Sequence, residues 1–417
     1  MFQDSWKTLP ISQQPVYEDH SLLEKVLDDL KSFPPLVDYK EIETLKALLA
    51  SVFRNELFLL QAGDCVERFD QAEFSHLTKK VHILLEMAAI ISQGLGKKVV
   101  IVGRIGGQYA KPRSANTERI GDKEVPVFRG EIINGYKPNF LERRSDPKRL
   151  LEGYKHSSYT FKHLTALLSN NLTSNEKEIV SSQLKQLLNR FMHREFSDPP
   201  YIFSSHEGLL LNYESALSRL TEKGYYNLST HLPWIGHRTR SYNEAHVAYF
   251  REIQNPIGIK IGPPFQAQEI CKTIQILNPK NEEGKIILIS RLGVENVEFL
   301  LPPLIQEIKK NNFRIIWCCD PMHGNSLIDQ DGIKIRHLDT ISNELQLTIK
   351  TLNDHDEQLG GLHCEVAGNH VAECLGGYSI EQKKNLSEAY QSYCDPRLNY
   401  FQSLEITQLL VQFMKSC

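Results

Sequence analysis

Short apolar runs rich in Val, Ile and Leu recur along the chain, and most are separated by stretches whose apolar residues fall at helical spacing. The runs ELFLLQAGDC, KKVVIVGR, YIFSSHE, NLSTHLPWI, PIGIKIGP, KIILISRLG, FRIIWCCDP and GLHCEVAG predict eight β-strands. Continuous rather than alternating hydrophobicity implies strands buried on both faces, as in a parallel sheet covered by helices. The expected fold is therefore α/β, a (β/α)8 TIM barrel. The competing arrangement is a doubly wound open sheet, but no GxGxxG or phosphate-loop motif opens a helix after the first strand.

Two amphipathic helices, around Ser21 to Phe33 and Tyr39 to Asn55, precede the strand pattern, so residues 1–55 read as an N-terminal helical extension and 56–417 as the barrel catalytic domain. A helical insertion at about 140–200 interrupts the barrel between the second and third strands. It should hold helices around Arg149 to Ser169 and Asn175 to Phe196, with Thr173 and Glu176 forming a capping box and Leu184, Leu187, Leu188 and Phe191 one apolar stripe. Such a pair either packs on the barrel or offers an oligomer or effector surface.

Composition removes several function classes. A net charge of -3 without a long basic run argues against a nucleic-acid partner. No apolar run is long enough to span a bilayer, and MFQDSWKTLP lacks the basic and apolar parts of a secretory signal, so no membrane association and a cytoplasmic location are expected. The eight cysteines, Cys65, Cys271, Cys318, Cys319, Cys364, Cys374, Cys394 and Cys417, form no CxxC pair and read as reduced thiols.

Nearly every predicted strand ends in polar or ionisable residues: Cys65, Arg104, Glu207, Trp234 with Arg238, Lys260, Arg291, Asp320 with His323, and Glu365. In a (β/α)8 barrel the carboxyl ends of all strands share one face, where the active site lies. One subset is cationic: Arg104, Lys111, Arg113, Arg238, Arg240, Lys260 and Arg291. Any one of them alone reads as a surface ion pair; recurrence at several strand ends implies phosphate or carboxylate ligands. A second subset, Cys65, His323, Glu365 and Asp395, could offer sulfur, nitrogen and oxygen to a borderline divalent metal. None of these four belongs to a local metal motif, and singly each reads as structural.

The segments QAGDCVERF, VGRIGGQYAKPRS, FRGEIINGY, SSHEGLLLNYE, THLPWIGHRTR, NPIGIKIGP, LISRLG, IIWCCDPMHGN, GGLHCEVAG, ECLGG and YCDPRLN occur in one order from about Glu56 to the C-terminus. In that order they resemble the class II 3-deoxy-D-arabino-heptulosonate 7-phosphate (DAHP) synthases. QYAKPRS, DPMHGN and CDPRLN are the most distinctive of them. The resemblance implies condensation of phosphoenolpyruvate with D-erythrose 4-phosphate, releasing phosphate, at the entry to the shikimate and aromatic amino acid pathway. It places Cys65, His323, Glu365 and Asp395 on the family's metal ligands, with Mn or Co as the expected ion and Zn or Fe as substitutes. Arg104, Arg238, Lys260 and Arg291 fall on the phosphoenolpyruvate contacts with His237 beside them, and Lys260, His237 and Arg104 are the implied catalytic groups. Lys111, Arg113 and Ser114 fall on the segment that receives the aldose phosphate, and a homo-oligomer, dimer or tetramer, is implied.

Three departures stand out. His237 occupies the place of the glutamate in the family's WIGERTR, which suggests a group titrating near neutrality. Ala367 to Gly377 replaces the usual TGENVTECLGG, and Glu131 stands where aspartate is usual. The insertion is shorter than in long, feedback-regulated members, which argues against strong inhibition by aromatic amino acids. These differences leave open a specialised copy serving secondary metabolism, a different phosphosugar such as an amino or imino analogue, or a catalytically silent binding or regulatory homologue.

Overall fold

Each of the eight apolar runs contains one barrel strand: β1 (Phe58–Gly63), β2 (Val99–Arg104), β3 (Ile202–Glu207), β4 (Leu232–Ile235), β5 (Ile257–Ile261), β6 (Ile286–Ser290), β7 (Ile315–Cys319) and β8 (Leu359–Glu365). The computed structural model describes residues 4–120, 123–330, 332–377 and 389–416, so Cys417 lies outside the described residues. Every neighbouring pair is parallel and β1 pairs with both β2 and β8, which closes an eight-stranded barrel in chain order. Closure excludes the open-sheet alternative.

Register sets the site. Gly63 at the end of β1 lies level with Arg104 on one side and Glu365 on the other. Its φ is +146°, and a Cβ there would lie 2.7 Å from the Arg104 carbonyl oxygen, so only glycine lets β2 approach this closely.

The N-terminal helices are α1 (His20–Ser32) and α2 (Tyr39–Phe53). An Asp38 capping box starts α2, whose Leu45, Leu49 and Val52 join one buried cluster with barrel-interior residues such as Leu59, Val100, Leu232 and Ile316. Those residues lie toward the strand starts, so α2 stoppers the end of the barrel opposite the site. Gly284 (φ +74°) permits the contact, since a Cβ there would come within 2.6 Å of the α2 backbone.

After a short helix, Phe140–Arg143, the insertion forms the long helix Lys148–Leu168, as the periodicity predicts. The second expected helix is two: Ser174–Ile179, started by the Thr173 and Glu176 capping box, and Ser182–Met192. Val180 turns extended, and the Ser181 side chain accepts the Leu184 N–H to cap a fresh start. Leu164, Leu167, Leu184 and Phe191 pack into the same core as helix α3 (Phe74–Leu95). The C-terminal helix Tyr400–Ser416 also lies along α3, close enough that a Cβ on Gly94 would meet Val411 at 2.4 Å. Among the described residues, no helix is long and apolar enough to cross a membrane.

Candidate functional site

A cavity of about 240 Å³ opens at the carboxyl ends of the barrel strands. Its walls include Lys111, Arg113, Ser114, His237, Arg238, Lys260, Arg291, His323 and Asp395, the majority of the residues singled out from sequence. Cys65, Arg104 and Glu365 are buried and do not line it; Cys65 and Glu365 contact residues that do, and Arg104 bonds to both of them. Seven basic side chains face the cavity against two carboxylates, Glu207 and Asp395, so the space is built for anions.

Beside the cavity, the Cys65 sulfur and carboxylate oxygens of Glu365 and Asp395 all lie within 4.8 Å of one another. His323 falls outside this tight group. Its Nε2 is 2.9 Å from Glu365 Oε1 and 4.0 Å from Asp395 Oδ2, while its Nδ1 sits 2.7 Å from Asp320 Oδ2. A proton on Nδ1, donated to Asp320, leaves the Nε2 lone pair turned toward the triad, the arrangement that orients a metal-ligating imidazole. Burial lowers the His323 pKa, which Asp320 and Glu365 oppose.

Lys111 lines the cavity, and its ammonium donates to Cys65 Sγ at 2.6 Å and Glu365 Oε1 at 3.2 Å and pairs with Asp395. The reason is electrostatic, because a thiol and two buried carboxylates clustered so tightly need a cation among them. Burial works against ionisation of Glu365, but His323, Lys111, Arg336 and Arg104 hold its carboxyl well below the usual range. Asp395 is likewise held down against burial by Lys111, Lys334 and Arg336. Burial and the neighbouring Glu365 keep the Cys65 thiol protonated, with Lys111 opposing them. The mixed sulfur, oxygen and nitrogen donors, centred on a point that already holds a positive charge, fit a divalent cation of borderline softness. Binding it would release the thiol proton.

Arg104 is built into the floor. It donates to the Cys65 carbonyl at 2.9 Å and to Glu365 at 3.1 Å, and its other terminal nitrogen donates to His363 Nε2 at 2.8 Å. His363 passes the chain on to Gln61 Oε1 at 2.8 Å, and Gln61 donates to Ser205 at 3.1 Å. The Trp234 ring lies under both Arg104 (5.2 Å) and Lys260 (5.4 Å). Lys260 pairs with Asp320 at 2.9 Å. Burial lowers its pKa, although Asp320 opposes the shift.

His237 does not titrate near neutrality. Burial, with Arg240, Arg291 and Arg238 close by, lowers its pKa to about 4, so the imidazole is neutral at pH 7. Its Nδ1 is buried without a partner. The other departures do not line the cavity. Glu131 accepts the Phe69 N–H and steadies the loop after β1. Glu373, within Ala367 to Gly377, is buried and grips Arg397, which also pairs with Asp64 at 2.6 Å.

Two basic lining residues escaped sequence reasoning. Lys334 and Arg336 sit on the short strand Lys334–His337 after β7, where Lys334 pairs with Asp395 and Arg336 with Glu365 at 2.7 Å. Their spacing of two was a usable signal, since alternate strand residues share a face. Glu207 ends β3 with Oε1 buried and unpartnered, and burial raises its pKa despite Lys260, Lys111, Arg238 and Arg104.

The model of the Class-II DAHP synthetase family matches residues 1–198 and 192–411. A Neurospora crassa protein named phospho-2-dehydro-3-deoxyheptonate aldolase is 40% identical over 450 residues, spanning 98% of this chain and 93% of that protein. A Streptomyces coelicolor protein of the same name is 36% identical over 437 residues, spanning 99% and 97%. The solved structure of a phospho-2-dehydro-3-deoxyheptonate aldolase from Francisella tularensis shares the fold, with a TM-score of 0.52 at 15% identity, over 97% of this chain and 99% of that one.

Proposed function

This chain belongs to the class-II DAHP synthetase family, and from that premise we propose that it condenses phosphoenolpyruvate with D-erythrose 4-phosphate to give DAHP and inorganic phosphate. The observation that carries this reading is the cavity itself: a strongly cationic space for two phosphorylated partners, adjoining a cluster that can hold a metal.

In this reading Cys65, Glu365 and Asp395, with His323, hold a divalent ion, Mn or Co before Zn or Fe. The ion would supply Lewis acidity toward the aldehyde oxygen. Arg238, Lys260 and Arg291 hold phosphoenolpyruvate by its phosphate and carboxylate, and neutral His237 adds a hydrogen bond rather than a charge. Arg104 steadies the floor beneath Lys260 through the shared Trp234 ring. Arg113 and Ser114, joined by Lys334, receive the aldose phosphate. Fixing both partners makes their encounter effectively intramolecular.

The bond changes are these. C3 of phosphoenolpyruvate bonds to the aldehyde carbon, whose oxygen takes up a proton. Water adds to C2 and gives a proton to a base, for which Glu207 is placed, with its unpartnered oxygen in a buried setting. The C2 hydroxyl then forms the C2=O carbonyl, passing its proton to the departing phosphate as the C2–O bond to phosphate breaks, and the surrounding cations receive the leaving charge.

The test is incubation of metal-loaded protein with both substrates, measuring phosphate release and the product mass. Loss of activity on chelation and its return with Mn or Co is expected. Absence of phosphate release with erythrose 4-phosphate across pH 6 to 9 would defeat the reading. His237 in place of a glutamate leaves one variant to test, a phosphosugar bearing an amino or imino group; turnover of that analogue alone would select it.

A further inference from the structure

Residues Pro10 to Gln14 belong to no helix or strand, yet they run past the loops that follow β2, β3 and β4 and bond to each. The Ala245 N–H donates to the Pro10 carbonyl at 3.0 Å. Ser12 Oγ donates to Glu244 at 3.2 Å and to the Arg238 carbonyl at 3.4 Å. Gln14 Nε2 donates to the Leu209 carbonyl at 2.7 Å, and Arg129 donates to the Gln14 carbonyl at 3.2 Å. Between them, the Gln13 side-chain Oε1 accepts the Arg113 N–H at 2.9 Å.

Both ends of this segment are pinned. Trp6 is 3% exposed and meets Tyr249 edge-on at 6.2 Å, while Tyr17 is 6% exposed and lies in the core that includes Tyr109 and Leu209. Gln13 itself has φ +61°, a left-handed conformation that a non-glycine residue keeps only where its surroundings impose it. The conformation is accompanied by the contact from its side chain to Arg113.

We propose that Gln13 is a positioning residue, whose side-chain amide fixes the Arg113–Ser114 turn, and that the Pro10–Gln14 strap holds this turn in register with the Arg238 loop. The role rests on the reading that Arg113 and Ser114 receive the aldose phosphate and Arg238 the phosphoenolpyruvate. A strap bonded to the backbone of both loops sets the distance between two bound anions without touching either one. That is a contribution to orientation.

Gln13→Gly tests this, because glycine relieves the left-handed backbone while deleting the amide. In the metal-loaded full chain, amide hydrogen exchange at Arg113 should accelerate at least about tenfold. The KM for erythrose 4-phosphate should rise about two- to twelvefold, as the loss of one net hydrogen bond implies. The KM for phosphoenolpyruvate and kcat should stay within about twofold, and Tm should not fall. Unchanged exchange at Arg113 overturns the proposal. So does a parallel rise in both KM values with a lower Tm, which would mark a merely structural segment. If the parent does not turn over erythrose 4-phosphate, the proposed function fails, and exchange at Arg113 still judges the strap.

Discussion

The ammonium of Lys111 lies 2.6 Å from the sulfur of Cys65, at the centre of a triad completed by Glu365 and Asp395. A lysine there neutralises the same charges that a divalent ion would. A divalent ion bound there would therefore compete with Lys111 for one set of donors.

Replacing Lys111 with Met removes the competitor and leaves the buried acids dependent on metal. The metal-free variant should lose roughly 3–5 kcal/mol of stability, the cost of stranding a buried charge. Metal should then raise its Tm more than it raises the parent's, with a tighter Kd by calorimetry. Equal metal-induced shifts in variant and parent would show that Lys111 and the ion do not share the site.

Glu207→Gln keeps the shape of the side chain but removes the proposed base. The expected result is a kcat lowered about 10²- to 10⁴-fold, the usual contribution of a positioned base, with both KM values little changed. Steady-state phosphate release measures it. A kcat within threefold of the parent would assign the proton to another group.

His237 carries a pH signature. Its folded pKa, about 4, lies below the ordinary 6.5, so the unfolded chain binds the extra proton between those values. Stability associated with His237 is complete above about pH 6.5 and declines as pH falls toward 4. His237→Asn, which does not titrate, should narrow the difference in denaturation midpoint between pH 4.5 and pH 7. If the parent and variant lose stability equally on acidification, the imidazole is not held neutral by its surroundings.

Arg397, on the loop carrying Asp395, ties it to the loop carrying Cys65 through Asp64 at 2.6 Å and also grips Glu373 at 2.7 Å. Arg397→Met should destabilise by about 3–5 kcal/mol, because it strands buried carboxylates. Metal affinity should fall with it, since Asp395 loses its tether to the Cys65 loop. Urea denaturation and a metal titration provide the two readouts, and unchanged metal affinity would limit Arg397 to fold stability.

Gln61 and His363 show where sequence patterns stop speaking. Both lie in strands that read simply as apolar, yet both are fully buried polar groups that orient Arg104. Their signal was present as position: each stands two residues before a strand-end site position, Gly63 or Glu365, and so faces the same way. Lys334 and Arg336 were similarly marked by alternation, but the strand that bears them is four residues long and sits outside the barrel pattern.

The sequence by itself determined the eight strands, their order and the polar groups at their carboxyl ends, because hydrophobic period and strand ends are local properties of the chain. Tertiary structure alone decided that Lys111 enters the triad, that His323 stands at its edge, that Arg104 belongs to the floor and that His237 is uncharged. Those outcomes depend on burial and on charges brought close by chain closure. Neither quantity has a value until the barrel has formed.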